Sequence, residues 1–233
     1  MALRGEAALA LWWDVAPAHR AELAHWHAHE HFPERLALPG FLRASRWTSV
    51  DDDGSGFFVL YELQDPAVLA SPAYVARLNA PSPWSTRMMP LHAGMVRSQC
   101  RVLCSRGAVT ARHALAIRFS PAPDAAAVRA FDALAADVAQ RPGLVGLHLL
   151  GHQPPALATT TEQQIRGNAD RAADAVIVAC GYELDALRAL GAAELADARL
   201  QAAGAGDGIE RRFYALAYAA LPSDPCTFTQ ETT

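Results

Sequence analysis

Four cysteines in 233 residues are too few for a disulfide framework. None forms a Cys-x-x-Cys pair, so a zinc ribbon or dithiol redox site has no support. Cys100 and Cys104 fall in one predicted strand, where a spacing of four puts both on one face in a buried apolar role. This cysteine usage fits a reducing, cytoplasmic setting. Charge of one sign is also lacking. Twenty basic residues face 24 acidic ones, a formal net charge of −4, so no basic excess draws nucleic acid and no polybasic tail draws a membrane. No apolar run approaches the ~20 residues of a membrane helix. The run Ala7 to Trp13 is short, ends at Asp14 and has no small-residue cleavage site. It reads as a strand rather than a signal peptide. Gly-x-Gly-x-x-Gly, P-loop and Gly-x-Ser-x-Gly motifs are absent, which leaves nucleotide-binding and serine-hydrolase readings without support. What remains is a chain 52% hydrophobic, long enough for one large domain or two small ones.

The chain repeats its own pattern. Ala8-Leu9-Ala10-Leu11-Trp12-Trp13 returns as Ala114-Leu115-Ala116-Ile117-Arg118-Phe119, and Pro39-Gly40-Phe41-Leu42 returns as Pro142-Gly143-Leu144-Val145. The two offsets, 106 and 103, leave three extra residues in the first copy, between the first strand and the Pro-Gly turn. A strand over 57–63 and another over 175–181 each precede a helix, over 66–78 and 183–200. Closing strands follow at 94–103 and 209–219. Both halves therefore read β-α-β-β-α-β, the ferredoxin-like unit. The division is 1–104 and 105–233, with residues 105–112 as the link and 153–173 as a long insertion in the second half. Two helices cover one face of a four-stranded sheet, so the other face must be buried elsewhere. The expected fold is α+β, with two tandem ferredoxin-like units packed sheet to sheet.

The densest chemical signal is Trp26-His27-Ala28-His29-Glu30-His31-Phe32-Pro33-Glu34, which with His25 holds four of the nine histidines. On a helix His25 and His29 share one face and His27 and His31 share another, about 200° away. Four-fold convergence on one metal ion is therefore disfavoured, and no His-Glu-x-x-His is present. For acid–base chemistry His31 is the first candidate and His27 the second. Pro33 disfavours helix at Phe32, which places His31 at a helix C-terminus beside Glu30 and Glu34, all of which would raise its pKa. The bland alternative is a solvated helix face with His31 and Glu34 pairing at its end. The second half has 130–140 Ala-Phe-Asp-Ala-Leu-Ala-Ala-Asp-Val-Ala-Gln at this place, which suggests one chemical half and one scaffolding half.

All five tryptophans lie in the first half. Trp12, Trp26 and Trp84 are candidates to stack a planar ligand, Arg46 and Arg87 to add a cation, and Tyr61 to donate to a developing enolate. Each has a structural alternative as core or surface packing. Residues 80–90, with three prolines, read as a lid or a packed loop. The insertion contains Thr159 to Arg166, which can cap a short helix with a Glu162–Arg166 pair and carry Arg166 to a site in either half. His148 and His152 read as structural or solvated, and the tail after Leu221 as an arm.

Two tandem β-α-β-β-α-β units resemble the dimeric α/β-barrel superfamily. The segment Trp26-His27-x-x-Glu30-His31-x-Pro33-Glu34, followed by Pro39-Gly40-Phe41, looks like the His-x-Pro region of its EthD-like and stress-responsive members. The resemblance implies a barrel made within one chain from what others build with two subunits, and so a monomer or a homodimer. It implies an apolar or aromatic small molecule as partner, and His31 as the proton-transfer residue. It leaves three readings open: a cofactor-free isomerase, dehydratase, cyclase or monooxygenase; a non-catalytic binding barrel; and a haem or metal protein. No cofactor is expected from the residues themselves, while haem stays open through the resemblance.

Overall fold

The computed structural model describes residues 2–51, 53–167 and 170–222. Cys226 and the tail from 223 onward lie outside them. Eight strands form a closed antiparallel barrel: β1 (Ala7–Asp14), β2 (Phe41–Ser49), β3 (Gly56–Leu63), β4 (Ala93–Gly107), β5 (His113–Phe119), β6 (Leu144–His152), β7 (Ala175–Gly181) and β8 (Glu210–Ala220). Around it the order is β1-β3-β2-β8-β5-β7-β6-β4, and β4 closes back onto β1. The helices are α1 (Arg20–Trp26), α2 (Phe32–Leu36), α3 (Pro72–Asn79), α4 (Pro83–Met88), α5 (Ala125–Val138), α6 (Thr161–Ile165), α7 (Leu184–Ala192) and α8 (Asp197–Ala202). Each half of the chain runs its strands in the same spatial order: fourth, first, third, second.

The two four-strand runs meet edge to edge, through the β2–β8 and β4–β6 ladders, and closure leaves no open sheet edge. Period-two alternation then sorts the side chains. Ala8, Ala10 and Trp12 of β1 and Phe58 and Leu60 of β3 point into the barrel, with Trp47, Val176, Val178 and Tyr214. Their neighbours Leu9, Trp13, Phe57, Val59 and Tyr61 point outward onto Leu23, Trp26, Phe32 and Leu36. Small alanines opposite tryptophan and phenylalanine fill the interior, a packed core rather than a channel. The second half covers its outer face with Phe131, Ala135 and Val138 of α5 and Leu187 and Leu190 of α7. The Pro-Gly turns recur at equivalent corners. Gly40 and Gly143 have φ of +87° and +84°, and an added Cβ would stand 2.4 Å from Val68 Cγ2 in one and 2.5 Å from Ala186 Cβ in the other. Only glycine fits both conditions.

Several local expectations change. Cys100 and Cys104 do not share a face. A bulge between Val102 and Cys104 shifts the register of β4 against β6, so Cys100 enters the barrel while Cys104 packs beneath α5. β4 runs on to Gly107, so only 108–112 connect it to β5. The helix expected over 66–78 is a 3₁₀ turn (Pro66–Ala70) and then α3, because Pro72 cannot donate to a continuing helix. Ser71 Oγ accepts from Tyr74 N instead, at 3.3 Å. The segment 83–88, read as loop, is α4, with Ser82 Oγ capping Ser85 N at 2.9 Å. The helix expected over 183–200 divides into α7 and α8.

Candidate functional site

The helix carrying the histidines does not end at Phe32. α1 passes into one π turn (His27–His31) and then into α2, and the whole run is three residues longer than the 14-residue α5. Pro33 has no N–H and its ring crowds the carbonyl four residues back. Widening the turn by a residue relieves both, and π turns of this kind recur at functional sites. The expected pairing of faces is what forms. His25 and His29 lie outside, ring centroids 4.2 Å apart, beside Trp84. His27 and His31 lie 5.6 Å apart on the inner side, with Trp26 4.8 Å from one and 4.3 Å from the other.

The inner pair opens on a pocket of about 480 Å³, its mouth included, between the outward face of β1, β3 and β4 and the helices of the first half. Leu9, Leu11, Val59, Met89 and Met95 give it apolar walls. Its lining residues carry six buried polar atoms without a hydrogen-bond partner: Nδ1 of His27 and His31, Nε2 of His92, the Tyr61 hydroxyl, Arg35 Nη1 and Trp13 Nε1. A buried polar group left unpaired costs about 1–3 kcal/mol. Water or a bound molecule in this cavity would have six such groups to meet. The insertion roofs the pocket. Thr160 and Gln163 make a capping box for α6, Thr161 N donates to Asn79 Oδ1 of α3 at 3.0 Å, and Glu162 forms a buried ion pair with Arg35. Arg166 lines the mouth and pairs with Asp170 at 2.6 Å.

The electrostatics run against the sequence expectation. The pKa of His31 is lowered, by burial first and then by Arg35, His27, His92 and Arg166. That of His27 is lowered by burial, then by Arg46 and His92. His92 is pulled down to about 3, chiefly by burial. A helix end and two carboxylates were expected to raise His31, but the helix continues and both carboxylates are engaged elsewhere. Glu30 accepts from Trp26 Nε1 (3.0 Å), Ser82 Oγ (2.5 Å) and Ser85 Oγ (3.2 Å), and Glu34 pairs with Arg77 at 2.7 Å. The Tyr61 hydroxyl is pushed up by burial and stays a proton donor.

Of the residues singled out from sequence, His27, His31, Tyr61 and Trp26 come together here. Trp12 does not, because alternation along β1 sends it into the barrel, stacked on Phe58 at 5.0 Å, and its neighbour Trp13 takes the pocket side. Arg46 stays outside the lining and donates to the Ala24 carbonyl at 2.9 Å, acting on His27 only through its charge. Trp84 packs against His25 at 5.3 Å, and Arg87 reaches solvent near Glu22. Sequence reasoning missed His92, Arg35 and Arg97. Arg35 was within reach, since four residues after His31 it shares that face. His92 and Arg97 carry no local signal. Among the described residues no cluster of three or more His, Cys, Asp or Glu is arranged to hold a metal ion.

No family model and no curated protein matches the sequence. Solved structures match the fold over nearly the whole chain. An anthrone oxidase-like protein aligns at a TM-score of 0.64 with 12% identity, over 96% of this chain and 97% of its own. A "putative monooxygenase" from Lactobacillus acidophilus aligns at 0.56 with 8% identity, over 94% and 97%. A second of that designation from Fusobacterium nucleatum aligns at 0.56 with 8% identity, over 93% and 95%. The chain therefore shares their fold, an α+β architecture built on a closed eight-stranded antiparallel barrel.

Proposed function

We propose that this protein is a cofactor-free enzyme that removes a proton from an apolar or aromatic carbonyl compound in the first-half pocket. The carrying observation is the convergence of three neutral imidazoles, a protonated phenol and an unpaired guanidinium N–H on one aromatic-walled cavity. A neutral imidazole can take a proton from carbon. His31 is the base, with His27 beside it. The enolate oxygen that develops is met by the Tyr61 hydroxyl and Arg35 Nη1, which stabilise it more than the neutral substrate. The imidazolium that forms sits against this new anion, so the low resting pKa rises as the proton moves.

The barrel neighbours support an oxidative outcome. For a ring methylene next to an aromatic ketone system, the enolate carbon gives electrons to dioxygen. Overall, CH₂ and O₂ become C=O and H₂O. The carbon loses four electrons, one oxygen atom enters the product, and the other leaves as water with both hydrogens. The reading needs no cofactor. A haem band in the absorbance spectrum, or stoichiometric metal in purified protein, would overturn that part of it. We further propose that the halves 1–104 and 105–233 descend from one duplicated EthD-like unit. In this view only the first half kept the chemistry, and a monomer suffices.

The test is oxygen uptake and quinone formation with anthrone as probe. His31→Ala should lower turnover by about 10²–10⁴-fold, and His27→Ala should also lower it, while the outward-facing His25→Ala should keep it. Equal turnover by wild type and His31→Ala would overturn the assignment. An aromatic ligand that stabilises both proteins equally, without turnover, would favour a binding barrel.

A further inference from the structure

The pocket has a second, polar compartment. Leu78, Arg97 and Arg166 line the apolar cavity on one side and, on the other, a space of about 500 Å³, its opening to solvent included, whose further walls include Gln99, Thr160 and Gln163. The charges around the junction do not balance. Arg35, Arg97 and Arg166 face Glu162 and Asp170, an excess of one positive charge. Glu162 pairs with Arg35, and Asp170 with Arg166. Arg97 donates to the Tyr74 hydroxyl at 3.1 Å and, among the described residues, makes no ion pair. Arg35 is 3% exposed and keeps Nη1 unpartnered toward the same cavity. Arg97 is half-buried and Arg35 buried, so an anion at the junction would meet positive charge partly shielded from water.

Building on the aromatic-substrate reading, we infer that the ligand is an aromatic carboxylate. Its rings fill the inner compartment, and its anionic group sits between Arg97 and Arg166 at the junction. One excess charge matches a monoanion rather than a phosphate monoester, which carries about −1.5 to −2. A guanidinium also offers a carboxylate two parallel N–H donors. The insertion takes on a defined part: it supplies Arg166, the polar wall, and Asp170 to hold Arg166 in place.

The test compares 2-naphthoate with 2-acetylnaphthalene, a neutral ketone of similar size, by tryptophan fluorescence titration of the full chain. Wild type should prefer the carboxylate by about tenfold or more at low salt, the preference shrinking as salt rises. Arg97→Gln should bring the two affinities to near parity, Arg97→Lys should keep most of the preference, and Arg166→Gln should weaken it. Equal binding of the two compounds by wild type, or a preference that survives in Arg97→Gln, would overturn the inference and leave the aromatic pocket standing. Failure of both compounds to bind would remove the aromatic pocket and the inference together.

Discussion

His27, His31 and His92 are neutral because they are buried beside arginines, and this has consequences for pH. Burial also pulls His148 down to about 4, with Nδ1 2.7 Å from Ser105 Oγ and Nε2 3.1 Å from the Ala108 carbonyl. In the unfolded chain each ring titrates near 6.5. A folded pKa below the unfolded one means that the unfolded state binds more protons below pH 6.5. The stabilisation is complete above that pH and drains away as pH falls toward about 3 to 4. Urea midpoints should therefore fall between pH 7.5 and pH 5; a flat profile would contradict the assignment. For the same reason the acid limb of anthrone turnover should lie below pH 6.5, the value for a free imidazole. The faces of the four histidines were legible from spacing alone. Their charge states were not, because desolvation comes from residues far along the chain.

At the level of elements, the π turn sets the site. Pro33 holds it open, so Pro33→Ala restores a donor and lets the turn tighten toward α geometry. Thermal stability should then be kept or raised while anthrone turnover falls; unchanged turnover would show that the wide turn does not position His31. Gly143 tests the corner geometry. Gly143→Ala should destabilise by roughly 1–3 kcal/mol, through positive φ and the clash with Ala186, measured by urea unfolding. The succession of strands and helices along the chain and the Pro-Gly corners were readable because their signals are local. The β4 bulge was not, since it exists only in register against β6. The split at Pro72 and the cap at Ser82 are also written in the sequence, but apolar period runs across the first and the three prolines around the second read as loop.

At the scale of the whole molecule, closing the barrel seals one ion pair inside it. Arg43 and Glu62 are almost wholly buried, with Nε to Oε1 at 2.5 Å and Nη2 to Oε2 at 2.7 Å. Arg4 N adds a donor to Glu62 at 2.6 Å, and Arg43 Nη2 donates to the Ala2 carbonyl at 2.9 Å, which ties the segment before β1 to the barrel. Glu62→Ala strands a buried guanidinium and should cost about 3–5 kcal/mol, while a paired change of Arg43 and Glu62 to apolar residues should recover most of it. Equilibrium unfolding of the three proteins decides this. Among the described residues no helix is long and apolar enough to cross a membrane.

The sequence by itself determined the order of elements in both halves, the inner and outer pairing of the four histidines, and the concentration of aromatics in the first half. Those follow from period, turn chemistry and composition, which act over a few residues. Only the tertiary structure decided that Trp13 and not Trp12 lines the pocket, and that His92, Arg35 and Arg97 join His31 there. It also decided that the insertion roofs the first half rather than the second. The physical reason is that burial and charge are properties of neighbours in space, and closing the barrel chooses those neighbours from across the whole chain.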